Sequence, residues 1–118
     1  VGPDSASAVV TRYFGNEAVG DLNGDGKDDR AFILTQNGGG SGTFYYAVAA
    51  IGTGHGYSGT NGVLLGDRIA PQSTEIRQGE VIVNYADRAP SEPMTASPSF
   101  GISKHLKVSG AQLFEVDK

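Results

Sequence analysis

Apolar positions in this chain come in short runs broken by glycine-rich stretches, and no segment shows the 3.6-residue apolar period of a convincing amphipathic helix. That rhythm predicts an all-β domain. Val9–Phe14 is β-branched and aromatic and predicts a first strand. Ala31–Gln36 and Thr43–Ile51 are apolar on both faces, as strands inside a sheet are. The Asn37–Gly42 stretch between them, Asn-Gly-Gly-Gly-Ser-Gly, predicts a turn, so the two runs should form an antiparallel hairpin at the heart of the sheet.

Gly52–Gly62 reads as a second glycine-rich loop, and Val63–Ile69 as a strand that Pro71 ends. Ser73–Arg77 and Glu80–Ala86 flank Gln78-Gly79, a hairpin signal, with Val81, Val83 and Tyr85 alternating onto one face. Asp87–Ser99 carries Pro90, Pro93 and Pro98 and is expected to wrap the surface without regular structure. Phe100–Val108 places Ile102, Leu106 and Val108 on one face, and Gln112–Val116 follows Ser109-Gly110. Val1–Ala8 is small and polar and predicts a linker, with Ser5–Thr11 the best helical candidate and a poor one. The expectation is a linker over 1–8 and a single β domain over 9–118. Its fold should be an antiparallel sandwich or small open barrel of roughly six to eight strands.

Composition narrows the classes. At 118 residues the chain can bury roughly two-thirds of its unfolded surface without staples. Lys and Arg are scattered, so nucleic acid is not an expected partner. No apolar stretch reaches the length of a membrane-spanning helix, and the expectation is a chain whose export signal has already been removed. A first residue of Val is what a processed or excised chain shows. The absence of Cys removes disulfides and thiolate metal sites.

The net charge is −4, and much of it lies in one segment, Asp-Leu-Asn-Gly-Asp-Gly-Lys-Asp-Asp over Asp21–Asp29. Side-chain oxygens stand at Asp21, Asn23, Asp25 and Asp29, with Gly24 and Gly26 letting the backbone fold back. Three carboxylates this close repel one another unless a cation sits among them. Calcium suits the spacing, since it takes six to eight oxygens with loose angular demands. Gly26 falls at the sixth position, where calcium loops turn sharply, and Lys27 can lend its main-chain carbonyl. The expected ligands are therefore Asp21, Asn23, Asp25, Lys27 and Asp29. Asp28 is expected to be solvated or paired with Arg30. Asn-Gly and Asp-Gly also build ordinary turns without a metal, and that alternative explains everything except the acidic spacing.

A helix-loop-helix calcium hand needs a Glu at its twelfth position, which here is Phe32. The segment instead resembles the Asp-x-Asn-x-Asp-Gly-x-x-Asp loops of FG-GAP (integrin β-propeller) repeats and, more loosely, of dockerins. The resemblance spans about nine residues and implies a metal site without a fold. Only one copy is present, whereas propellers and dockerins repeat theirs. Gly20–Asp29, Gly39–Tyr46, Leu65–Gln72, Asn84–Arg88 and Pro98–Lys104 are further distinctive stretches. Through them the chain, over Val10–Val116, resembles a family of small exported, lipoprotein-like bacterial domains. It implies export, the calcium loop and a further strand ahead of Val1, and brings no established activity.

Catalytic chemistry finds little footing. His105 sits in Ile102-Ser103-Lys104-His105-Leu106 on the face away from the apolar residues and reads as an exposed strand histidine. A Ser–His–acid set can be drawn from Ser58 or Ser41, His55 and Asp67, but no local signature supports it. Asp67-Arg68 and Asp87-Arg88 predict cross-pairs, Asp67 with Arg88 and Asp87 with Arg68, because neighbours in a strand point to opposite faces. Tyr45, Tyr46, Tyr57 and Tyr85 are candidates for a stacking platform, with half-buried packing as the alternative.

The expected function is a non-catalytic, calcium-stabilised β module of an exported bacterial protein, periplasmic, cell-surface or extracellular. Open calcium modules bind at roughly 10⁻⁴ to 10⁻³ M, which serves only where calcium is plentiful. Two alternatives stay open: a ligand-binding or enzyme-inhibitory module holding a glycan or protein, and an assembly subunit that offers a sheet edge to another strand. The chain is accordingly expected as a monomer or a strand-mediated assembly.

Overall fold

The computed structural model describes residues 10–37, 42–89, 91–93 and 95–116, and their regular structure is entirely β. The expected linker over 1–8, most of the Ser5–Thr11 segment and the turn at 38–41 lie outside the described residues; Thr11 itself belongs to the first strand.

Nine described strands form two antiparallel sheets. In the first sheet β1 (Val10–Gly20), β2 (Asp29–Asn37) and β3 (Phe44–Thr53) run as a meander. The far side of β3 is divided: β4 (Gly56–Gly59) pairs with Ala50–Thr53, and β5 (Val63–Asp67) pairs with Phe44–Ala47. Thr60 fills the seam, donating its amide to the Ala49 carbonyl and accepting the Ala49 amide on its hydroxyl. The second sheet holds β6 (Ala70–Arg77), β7 (Glu80–Asp87), β8 (Phe100–Ser109) and β9 (Gln112–Val116) in sequence order. Among the described residues the chain passes between the sheets once, at Arg68 and Ile69, where Arg68 takes a φ of 52°.

Alternation decides what each sheet buries. In β2, Asp29, Ala31, Ile33 and Thr35 are buried, while Arg30, Phe32, Leu34 and Gln36 face outward and are half-covered by β1 and β3. Val81, Val83 and Tyr85 of β7 turn inward as expected and meet Ile33, Ala47, Ala49, Ile51 and Leu65 from the opposite sheet. One apolar cluster thus lies between two layers, the arrangement of a sandwich. At Gly20 the layers touch so closely that a Cβ would sit 2.7 Å from Ile76 Cγ2. The open side is tied by Asn61, whose side-chain amide donates to the Leu113 carbonyl and accepts the Leu113 amide, both at 2.9 Å.

The hairpin at Gln78-Gly79 forms as expected, both residues having positive φ (53° and 79°), which a two-residue turn between twisted strands requires. Three details differ from the expectation. β1 runs on past Phe14 to Gly20 through two register shifts on either side of Gly15, each admitting one extra residue in β1 while the pairing with β2 continues. β4 forms inside the expected Gly52–Gly62 loop, because the C-terminal half of β3 would otherwise lack a partner on that side. Pro71 does not end a strand but lies within β6, an edge strand, beside a register shift. A proline's missing donor is tolerated there.

Candidate metal centre

The acidic segment connects β1 to β2, and its ends are clamped as a strand pair, Gly20 opposite Asp29. Leu22, an apolar residue in an otherwise polar run, inserts into the core and fixes the base of the loop. Above it the chain folds on its own side chains. One oxygen of Asp21 accepts the amides of Asn23 (3.2 Å) and Gly24 (2.8 Å), and the other accepts that of Gly26 (2.9 Å). Asn23 Oδ1 accepts the Asp25 amide at 3.3 Å, and Asp25 Oδ1 accepts the Lys27 amide at 2.8 Å. Gly24 and Gly26, both at φ 80°, supply the left-handed steps that make these short returns.

Asp29 is different in kind. It is fully buried, and its two oxygens accept the amides of Leu22 and Gly52, each at 2.7 Å. It therefore joins the loop to the far end of β3. A Cβ at Gly52 would lie 2.6 Å from the Asp28 carbonyl oxygen, so only glycine lets β3 pass here. Reading the loop for oxygens alone misses Leu22 and Gly52. The signals were a lone apolar residue in a polar run and a glycine at the end of an apolar strand.

Asp21, Asp25 and Asp29 bring carboxylate oxygens within 4.8 Å of one another. The backbone bonds, that from Gly26 first, hold the Asp21 carboxyl below its ordinary value. Asn23, Lys27 and Asp28 are exposed on the same loop. Arg30 does not pair with Asp28 but with Glu17, and its Nε donates to the Tyr57 hydroxyl at 3.2 Å. The Tyr13 hydroxyl donates to Glu17 at 2.7 Å, closing a surface network that sequence reasoning missed.

The other candidates separate. His55 follows the end of β3 and Asp67 pairs with its start, which puts them about 30 Å apart at strand rise; Ser41 lies outside the described residues. His105 is half-buried rather than exposed, with Nδ1 3.3 Å from Glu80 Oε1. The expected Asp–Arg cross-pairs are replaced. Arg68 pairs with its neighbour Asp67, since the left-handed turn at Arg68 breaks strand alternation. Arg88 does bridge to this corner, but through the carbonyls of Asp67 and Arg68. Of the four tyrosines, Tyr85 is in the core and Tyr45 packs edge-on to Phe14 and against the core. Tyr46 and Tyr57 stand on the opposite, outer face of the first sheet.

Among the described residues no helix is long and apolar enough to cross a membrane. No protein-family model, curated protein or solved structure matches the chain.

Proposed function

We propose that this chain is a calcium-binding β-sandwich module in which the ion locks the β1–β2 connection, and that it has no catalytic role of its own. The supporting observation is the convergence of Asp21, Asp25 and Asp29 oxygens within 4.8 Å. The donor set is hard oxygen throughout, which suits calcium or magnesium rather than a thiophilic metal. Acceptor capacity remains after the backbone bonds are counted, since an ionised carboxylate offers about four lone-pair sites. Asp21 uses three, Asp29 two and Asp25 one on main-chain amides. Asn23, the Lys27 carbonyl and water would complete a shell of calcium size. A loop this exposed belongs to the low-affinity class of calcium sites, filled where the ion is abundant, which supports an exported location.

A thermal melt with millimolar calcium, with magnesium and with chelator tests the reading. Saturation at 100 times the dissociation constant stabilises by about 2.7 kcal/mol if the ion binds only the folded chain. The expected result is a rise of several degrees in calcium and a smaller one in magnesium, which demands near-ideal octahedral geometry and dehydrates reluctantly. A second reading rests on the amides already held by all three carboxylates: an acidic turn that folds without any ion. No shift in either metal would establish that reading and end the first.

A further inference from the structure

We propose that the outer face of the first sheet carries a binding site for a neutral sugar ring of a glycan. A shallow depression of about 250 Å³ opens there over Leu34, towards the end of β2 opposite Asp29. Leu34 and Val48 form an apolar floor, and Tyr46, the cross-strand partner of Leu34, stands beside it. Gly62 leaves the space next to Tyr46 open, since a Cβ there would already sit 3.4 Å from the Tyr46 side chain. The rim is polar: Thr11, Gln36 and Thr60.

Size, charge and chemistry together select the occupant. The depression is smaller than the roughly 300–1,000 Å³ pockets of drug-sized ligands, so it takes one ring rather than a long apolar chain. None of its lining residues is charged, so an ionic ligand would lose hydration there without a counter-charge. Thr11 and Gln36 share one hydrogen bond at 3.0 Å and keep further donor and acceptor capacity. A pyranose has an apolar C–H face for the Leu34–Val48–Tyr46 surface and a ring of hydroxyls for the amide and hydroxyl rim. A lipid tail would leave that rim unused. A peptide strand would seek a sheet edge, whereas this site lies mid-sheet with its ladder already paired. The same face continues into Leu64, opposite Tyr46, and into Tyr13 against Phe32 with ring centres 5.5 Å apart. Those surfaces flank the depression where neighbouring sugars of a chain would lie.

The test is a ¹⁵N-correlation NMR titration of the whole chain with cellotetraose, xylotetraose, chitotetraose and maltotetraose. Binding of at least one at millimolar affinity is expected, with shifts centred on Leu34, Gln36, Tyr46 and Val48. Tyr46→Ala should weaken it about tenfold, in line with the loss of one aromatic contact. Thr11→Ala, at an exposed position, should weaken it several-fold without touching the fold, so a misfolded Tyr46→Ala does not remove the test. Phe114→Ala on the second sheet should leave it unchanged. Three results overturn the proposal: no shift with any of the four saccharides, shifts that survive both face variants, or concentration-dependent shifts of the same amides without sugar, which would make this a self-association surface.

Discussion

Asp29 accepts the main-chain amide of Gly52 at 2.7 Å while its other oxygen holds the amide of Leu22, so one buried side chain fastens the acidic loop to the end of β3. Asp29→Ala would leave both amides without their acceptor, and an unpaired buried donor costs roughly 1–3 kcal/mol. The variant is therefore expected to lose about 3 kcal/mol of unfolding free energy or more. Urea unfolding in chelator measures this with no ion in the comparison. A loss below about 1 kcal/mol would mean that water replaces the carboxylate and that Asp29 is no anchor.

Gly52→Ala should destabilise by about 1–3 kcal/mol, the range for forcing atoms into filled space, because its Cβ would meet the Asp28 carbonyl oxygen at 2.6 Å. Gly54→Ala, where a Cβ meets nothing, should stay within about 0.5 kcal/mol of the parent. Equal effects at the two sites would show that the close approach of β3 to the loop relaxes freely.

Asp25→Ala separates ion binding from folding. Its carboxylate is exposed and accepts only the Lys27 amide, so the variant should keep the parent's melting temperature in chelator and lose the rise in calcium. A calcium rise that survives the substitution would remove Asp25 from the ligand set.

These contrasts mark the boundary of what was legible in the sequence. The β6–β7 hairpin was legible because both of its signals, the Val81–Val83–Tyr85 alternation and Gln78-Gly79, act between near neighbours. The acidic spacing was legible for the same reason, and the three aspartates do converge. Asp29's role as an anchor was not, since Gly52 lies 23 residues away and only the packed sheet brings it close. Pro71 and Arg68 defeated local rules through position: an edge strand tolerates the first, and a left-handed corner takes the second out of alternation. The tyrosines looked alike as letters, yet strand parity sends Tyr45 inward and Tyr46 outward.

Asn61 gives Leu113 the two hydrogen bonds that a neighbouring strand would give. Asn61→Ala removes both the acceptor and the donor, leaving the Leu113 amide and carbonyl to water. The expected cost is about 1–3 kcal/mol, that of two part-buried hydrogen bonds at roughly 0.5–1.5 kcal/mol each, with faster hydrogen exchange at the Leu113 amide. Unchanged exchange there would show that β9 is held by β8 alone.

Glu17 should titrate below an ordinary glutamate, because the Tyr13 hydroxyl and then Arg30 bond its charged form. A carboxyl depressed in the folded state contributes stability that is present above its unfolded value, about 4.3, and is lost as pH falls through the folded value. NMR titration of the Glu17 side chain checks this. Tyr13→Phe should move the midpoint back up, and an ordinary midpoint in the parent would mean that the surface network does not persist in water.

Among the described residues the one passage between sheets, at Arg68 and Ile69, leaves two consecutive pieces, each containing one of the two sheets. Every strand pairing among the described residues is therefore made within a piece, and the apolar cluster and ties such as Asn61–Leu113 join the two. A cut at this corner breaks no ladder. It turns an intramolecular fold into a two-component assembly, in which each fragment has a sticky inner face that only its counterpart matches. The fold is, in effect, a heterodimer whose halves are tethered at an effective concentration set by two residues.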